Sequence, residues 1–258
     1  MRSEPRRRLD ANGAYMLDFT EVDSTQDEAR TRRMSGEVRL LGVRADYQTR
    51  GRGQRGATWY APRGEALLVT YLVPAETDRP DSSAMLSLVA GLAIARAIER
   101  ITDLQPALRW PNDVLIEGRK AAGVLIERFI ARDEGAEPMD IAAVGIGLNV
   151  NTTEWPDELA QTATSIRSGT GRIWSVMEVE AAVRAALMET LRFLREASPA
   201  QFTERWRRYD QTIGTRYITS VENQPVIGIA TGVADSGSLM LRLENGDDVE
   251  ATSARHLS

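Results

Sequence analysis

Residues 109–127, Arg-Trp-Pro-Asn-Asp-Val-Leu-Ile-Glu-Gly-Arg-Lys-Ala-Ala-Gly-Val-Leu-Ile-Glu, restrict the fold of this chain more than any other stretch. Two apolar runs, 114–117 and 122–129, flank Gly118-Arg119-Lys120, a pattern that reads as a β-hairpin with its turn at those three residues. Lys120 is the only lysine among 32 basic residues. An arginine-favouring codon bias would leave a stray surface lysine. The alternative is a site that needs a compact point charge, which the broad planar guanidinium cannot replace in a tight anion pocket.

Composition narrows the chemistry. A chain of 258 residues holds one sizeable domain and a small one. Its net charge of −5 argues against a large nucleic-acid footprint, so no nucleic-acid partner is expected. No apolar run reaches membrane-spanning length and the N-terminus lacks a signal-peptide core, which leads to the expectation of a cytoplasmic protein with no membrane partner. With no cysteine, thiolate nucleophiles and cysteine-bound metals are excluded. The sole histidine, His256, is a poor basis for a Ser-His-Asp triad or a histidine metal site. Catalysis by such a chain must use charge, hydrogen bonding and orientation, with a hard cation such as Mg²⁺ if a metal is needed.

In chain order, residues 1–13 are arginine-rich without apolar periodicity and read as a mobile tail. A short strand at 19–22 leads into Asp23-Ser24-Thr25-Gln26-Asp27, a helix start with Ser24 as N-cap. A strand at 38–47 precedes Gln48-Thr49-Arg50-Gly51-Arg52-Gly53-Gln54-Arg55-Gly56. This loop is either an exposed hairpin tip or an anion clamp, because glycines let backbone N–H groups approach an anion and arginines hold its oxygens. It is not a Walker A loop, since no Gly-Lys-Ser/Thr follows. A buried strand is expected at 66–73 and a core helix at 82–101. Further strands fall from Pro106 to Trp110 and at 141–151, with a polar loop at 133–139. The second of those strands contains Gly145-Ile146-Gly147-Leu148-Asn149; glycines there mark a bulge or the close passage of a ligand or another backbone. Residues 152–174 read as loop. Ser175 and Glu178 form a capping box before a helix to Arg195, and Pro199 opens another to about Tyr209. Residues 214–258 hold short β runs with turn signals at 222–223, 235–237 and 245–247, a small all-β module.

Four segments taken together, Gly51-Arg52-Gly53-Gln54-Arg55-Gly56 with Trp59, Arg109-Trp110-Pro111-Asn112-Asp113, Gly118-Arg119-Lys120-Ala121-Ala122-Gly123 and Gly145-Ile146-Gly147-Leu148-Asn149, resemble biotin protein ligases. Asp23-Ser24-Thr25 is similar to that family's Asp-Ser-Thr-Asn segment. The resemblance runs from about residue 15 to the end. It implies an α+β fold, a mixed and largely antiparallel sheet flanked by helices, akin to class II synthetases and followed by a small SH3-like β-barrel. The implied division is a tail at 1–13, a catalytic domain at 14–212 and the barrel at 213–258.

The resemblance further implies that biotin and ATP, with Mg²⁺, react to biotinyl-5′-AMP and pyrophosphate. The biotinyl group then passes to a lysine on a biotin carboxyl carrier domain of a carboxylase. Lys120, Arg52 and Asp113 are the implied catalytic residues, Asp113 as a hydrogen-bond or proton acceptor for the incoming amine. Ser24, Thr25, Gln48, Gly51, Arg52, Lys120 and Gly123 are implied for biotin. Arg52, Gly53, Arg55, Trp59, Asn112, Lys120 and Asn149 are implied for ATP and the adenylate. No metal ligand is assigned. The physical reading agrees: joining a carboxylate to a polyphosphate opposes two anions, and a cation fixed between them lowers the barrier.

The chain departs from the family at Gln26-Asp27, at Gln54, where many members have arginine, and at Arg50. The match begins within about fifteen residues, which leaves no room for a helix-turn-helix domain, so DNA binding is not expected. A monomer and a homodimer are both compatible with the sequence. A lipoyl ligase and a non-catalytic biotin or nucleotide sensor are the alternatives; intact Lys120, Arg52 and Arg55 argue against the sensor.

Overall fold

The period of two in the apolar runs sets eight strands side by side. They are β1 (Arg6–Leu9), β2 (Tyr15–Phe19), β3 (Leu40–Ala45), β4 (Ala66–Pro74), β5 (Pro106–Arg109), β6 (Asp113–Ile116), β7 (Arg119–Ala131) and β8 (Met139–Asn149). The computed structural model describes residues 4–75, 82–132, 135, 137–221 and 224–257. Across the sheet the order is β1-β2-β3-β4-β8-β7-β6-β5; β2 and β3 pair parallel and the other neighbours antiparallel.

Alternation along β4 separates the two faces. Leu67, Val69, Tyr71 and Val73 enter the main core, whereas Thr70 points to the opposite face. Helices α2 (Ser82–Ile101) and α4 (Val176–Glu196) pack against each other and supply the other half of that core, including Leu88, Leu92, Val183 and Leu187. Helix α1 (Thr25–Met34) lies beside β3 and β4, and Ala29 joins a smaller cluster with Leu17, Phe19 and Val43. Helices α3 (Ile166–Thr170) and α5 (Pro199–Arg207) complete the first unit. Serine caps start four of these helices. Ser24, Ser165, Ser175 and Ser198 each accept from a backbone N–H three residues on, and only Ser198 with Gln201 closes the reciprocal capping box.

The C-terminal module is a five-stranded antiparallel sheet: β9 (Arg216–Val221), β10 (Gln224–Val233), β11 (Leu239–Leu243), β12 (Asp248–Ala251) and β13 (Arg255–Leu257), in the order β12-β11-β10-β9-β13. Among the described residues no pairing closes β12 onto β13, so this is an open sheet where a barrel was expected. It docks through Trp110. The indole N–H donates to the Gly237 carbonyl at 2.9 Å, and the Trp110 carbonyl accepts from the Tyr217 hydroxyl at 2.9 Å. One apolar core runs through both sheets, from Leu88 and Trp110 to Tyr217 and Leu241.

Three local expectations change. The stretch read as a tail contains β1, which apolar periodicity could not reveal because charge holds it. Arg8 Nε donates to Asp18 at 2.5 Å and Nη1 to buried Glu180 at 3.1 Å, and Arg7 lies 4.1 Å over the Tyr15 ring. Residues 152–174 include α3. The hairpin turn sits at Glu117-Gly118, both at positive φ as a two-residue turn requires, so Lys120 is in a strand and not in the turn. The turn signal at 222–223 and residues 133, 134 and 136 of the polar loop lie outside the described residues.

Candidate active site

The site occupies the α1 face of the main sheet, and its floor is bare backbone. Register aligns Leu68 of β4, Gly147 of β8, Gly123 of β7 and Asp113 of β6 in one row, with Thr70, Gly145 and Leu125 in the next. A Cβ on Gly147 would lie 2.5 Å from the Trp59 ring, and one on Gly123 would lie 3.1 Å from it. A Cβ on Gly145 would lie 2.5 Å from Gln26 Oε1. The strand glycines therefore make room for side chains of this chain, where the sequence left open a bulge or the close passage of a ligand or another backbone. Above the floor lies a cavity of about 400 Å³.

Lys120 reaches this face through a register shift. Strict alternation would put Lys120 on the core side with Ala122. Between β6 and β7 the pairing passes from Val114–Ala122 to Leu115–Lys120, one extra residue on β7. Ala121 and Ala122 consequently both enter the core, and Lys120 joins Gly123 on the cavity side. Lys120 Nζ stands 2.5 Å from Asp113 Oδ1 and 5.9 Å from the centre of the Trp59 ring. The second Asp113 oxygen accepts from Arg109 Nη2 at 2.7 Å. Both carboxylate oxygens thus hold cations, which suits Asp113 to orienting Lys120 and poorly to collecting a proton from an incoming amine. The Lys120 backbone is clamped to the segment ahead of α3: its N–H donates to Thr162 O at 2.7 Å and its carbonyl accepts from Thr164 N at 2.9 Å.

The glycine-rich loop crosses the mouth of the cavity. Trp59 N–H donates to Gly51 O at 3.0 Å and Gly53 N–H to Ala57 O at 2.6 Å, which curls the loop back on itself. Arg52 Nη2 donates to Asp27 at 2.6 Å and approaches Glu127 at 3.4 Å. Arg55, with φ 55°, turns the other way and donates to Ala254 O at 2.5 Å in the C-terminal module. On the α1 side, Gln48 Oε1 accepts from Thr25 N–H at 2.7 Å, Thr25 and Thr70 hydroxyls are 2.9 Å apart, and Thr70 donates to Gln26 Oε1 at 3.0 Å. Gln26 Nε2 is anchored on Ala143 O at 3.0 Å. Thr25, Gln26 and Thr70 in this polar chain are buried, and Gln48 is half-buried.

Of the residues expected from sequence, Ser24, Thr25, Gln48, Arg52, Gly53, Arg55, Trp59, Asn112, Asp113, Lys120 and Gly123 line the cavity together. Gly51 and Asn149 do not. Gly51 lies against Trp59, where a Cβ would sit 3.0 Å from its carbonyl. Asn149 is buried, and its Nδ2 donates to Thr164 O at 3.0 Å, which holds the segment that clamps Lys120. Gln26, Thr70 and Arg109 line the cavity without having been assigned. Gln26 stood in view as a departure from the family pattern, whereas nothing in sequence separates Thr70 from its apolar neighbours. His256, beside Ala254 and Arg255, forms part of the wall from the second sheet.

A cationic pocket with a glycine floor, set on the open face of such a sheet and walled by a small β module, is the architecture of ligases that activate a small carboxylic acid. The sequence profile of the biotin/lipoate A/B protein ligase family matches residues 19–149, half of the chain. The chain belongs to that family. It is 30% identical over 236 residues to the biotin--[acetyl-CoA-carboxylase] ligase of Mycobacterium tuberculosis, covering 89% of this chain and 84% of that one. It is also 30% identical over 237 residues to the enzyme of that name from Paracoccus denitrificans, covering 88% and 94%. The biotin protein ligase of Aquifex aeolicus, solved in complex with biotin and ATP, superposes with a TM-score of 0.76 at 30% identity over 94% of this chain and 99% of that one.

Proposed function

We propose that the chain is an ATP-dependent biotin protein ligase: it converts biotin to biotinyl-5′-AMP and passes the biotinyl group to a lysine of a biotin carboxyl carrier domain. The supporting observation is the sole lysine, held in the cavity beside Asp113 and facing Trp59. Ser24, Thr25 and Gln48 present a fixed set of donors and acceptors for the ureido ring at one end of the cavity. Trp59 offers a face for adenine, and Arg52 and Arg55 stand at the mouth for phosphate. When substrates enter, Lys120 keeps one N–H on Asp113 and turns its other two to the biotin carboxylate and the α-phosphate, bringing two anions within reach of each other. The names of the M. tuberculosis and P. denitrificans relatives support acetyl-CoA carboxylase as the source of the carrier. The cytoplasm is the compartment we propose for the reaction.

Among the described residues no three His, Asp or Glu side chains converge to cage a metal. Mg²⁺ typically binds one or two carboxylates together with substrate phosphates and water, and Asp27 and Glu127, beside Arg52 at the mouth, fit that demand. Bound there with the triphosphate, it would neutralise phosphate charge.

The test is incubation with ATP, Mg²⁺, labelled biotin and a panel of carrier domains. Biotin-dependent pyrophosphate release and label on a carrier lysine are expected. Binding of biotin without pyrophosphate release would overturn the reading.

A further inference from the structure

Transfer of an acyl group to a lysine needs a proton acceptor, because the acceptor enters as an ammonium with an ordinary pKa near 10.4. Among the described side chains that line the cavity, only Asp113 and His256 can act as bases near neutrality. Asp113 is engaged on both oxygens, by Lys120 at 2.5 Å and Arg109 at 2.7 Å, so protonating it would break the ion pair that orients Lys120.

His256 has no such tie. Among the described residues neither of its ring nitrogens makes a hydrogen bond, yet the ring is held in place. It packs edge-on against Tyr217 with centroids 5.5 Å apart, and the Tyr217 hydroxyl is fixed on the Trp110 carbonyl. The β13–β9 pairing sets the backbone, with His256 opposite Tyr217.

We propose that His256 is the proton acceptor for the incoming lysine in the second half-reaction, an assignment that rests on the ligase reading above. The ammonium of the carrier lysine gives one proton to the imidazole. The freed electron pair attacks the acyl carbon of biotinyl-5′-AMP, and a C–N bond forms. The bond from that carbon to the phosphate oxygen breaks, AMP leaves with its electron pair, and water takes the second nitrogen proton. The first half-reaction, between a carboxylate and ATP, has no amine to deprotonate and makes no demand on His256.

The surrounding charges leave the imidazole free to serve. Arg109 and Asp113 approach it from β5 and β6, Arg255 is its neighbour on β13, and Arg55 reaches Ala254 from the glycine-rich loop. Burial and then Arg109 hold His256 below its ordinary pKa, with Asp113 opposing them, which keeps the ring neutral at neutral pH. Burial pushes the Tyr217 phenol up to about 12, so it stays protonated and does not compete as a base.

The experiment separates the two half-reactions. Enzyme loaded with biotinyl-5′-AMP is mixed with a biotin carboxyl carrier domain, and single-turnover transfer is followed between about pH 5 and pH 9. His256→Phe retains a ring against Tyr217 but takes no proton; His256→Asn is the smaller control. Transfer should fall about 100-fold in both, with loss of the acid-side inflection, as expected for removal of a general base. Pyrophosphate release from ATP and biotin without carrier should fall at least about tenfold less than transfer does. Transfer at the wild-type rate with the same pH profile would overturn the assignment. A matching fall in both half-reactions, with the inflection kept, would overturn it in favour of a packing role. Failure of the unaltered enzyme to release pyrophosphate would sink the ligase reading itself, and is seen before any variant is made.

Discussion

A single extra residue on β7 aims Lys120. Sequence singles out this lysine because no other exists, but alternation alone would have buried it, and only pairing with β6 shows that Ala121 is the inserted position. Ammonium and guanidinium differ in shape, so Lys120→Arg should reduce adenylate formation by at least about 100-fold while leaving the fold intact, measured as biotin-dependent pyrophosphate release. Activity near that of the unaltered chain would show that charge alone suffices. Gly147→Ala would place a methyl 2.5 Å from the Trp59 indole. The ring must move off the floor or the strand must shift, at a cost of about 1–3 kcal/mol. A change in tryptophan emission together with a lowered urea midpoint checks this. The shift at His256 also carries a sign. Its folded pKa is depressed, so the unfolded chain takes up the proton more readily. Stability from this group is fully present above the unfolded pKa of about 6.5 and is lost as pH falls through the lowered folded value. The urea midpoint of His256→Asn should fall less than that of the unaltered chain over this window.

At the scale of elements, the strands and helices with regular apolar spacing were legible, and those held by polar contacts were not. Helix α2 and strands β4 and β7 follow from their periodicity. Strand β1 does not, because Arg-Arg-Arg-Leu carries no apolar pattern and its pairing depends on Asp18 and on Glu180, 172 residues further along the chain. Burial of Glu180 makes this link testable. Arg8→Ala removes one of its partners and leaves a carboxylate 1% exposed with, among the described residues, Tyr71 and Arg184. A destabilisation of about 3 kcal/mol is expected, read from chemical denaturation. A change below about 0.5 kcal/mol would mean that β1 is a surface ornament of the sheet. Of the site's polar chain, Ser24, Thr25 and Gln48 were found by resemblance. Thr70 was not, since only β4's pleat shows that it faces Gln26 while Val69 and Tyr71 face the core.

At the scale of the whole molecule, the two sheets share one apolar core across Trp110 and Tyr217, so they should unfold together. Far-ultraviolet circular dichroism and tryptophan fluorescence are expected to report coincident thermal transitions; two separated transitions would contradict the shared core. The small β module was legible as an element pattern, but its place as a wall of the cavity was not, because contacts from Arg55 to Ala254 and from Trp110 to Gly237 join residues far apart in sequence.

The glycine floor also bounds what can be changed by design. Beneath Trp59 the sheet already presents bare backbone at Gly123 and Gly147, and no substitution can dig deeper than a missing side chain. An enlarged analogue of the acid can be accommodated only by pushing back the walls, at Gln26, Thr70 or Trp59, so variants that broaden substrate choice should cluster in those three places and leave the strands beneath untouched.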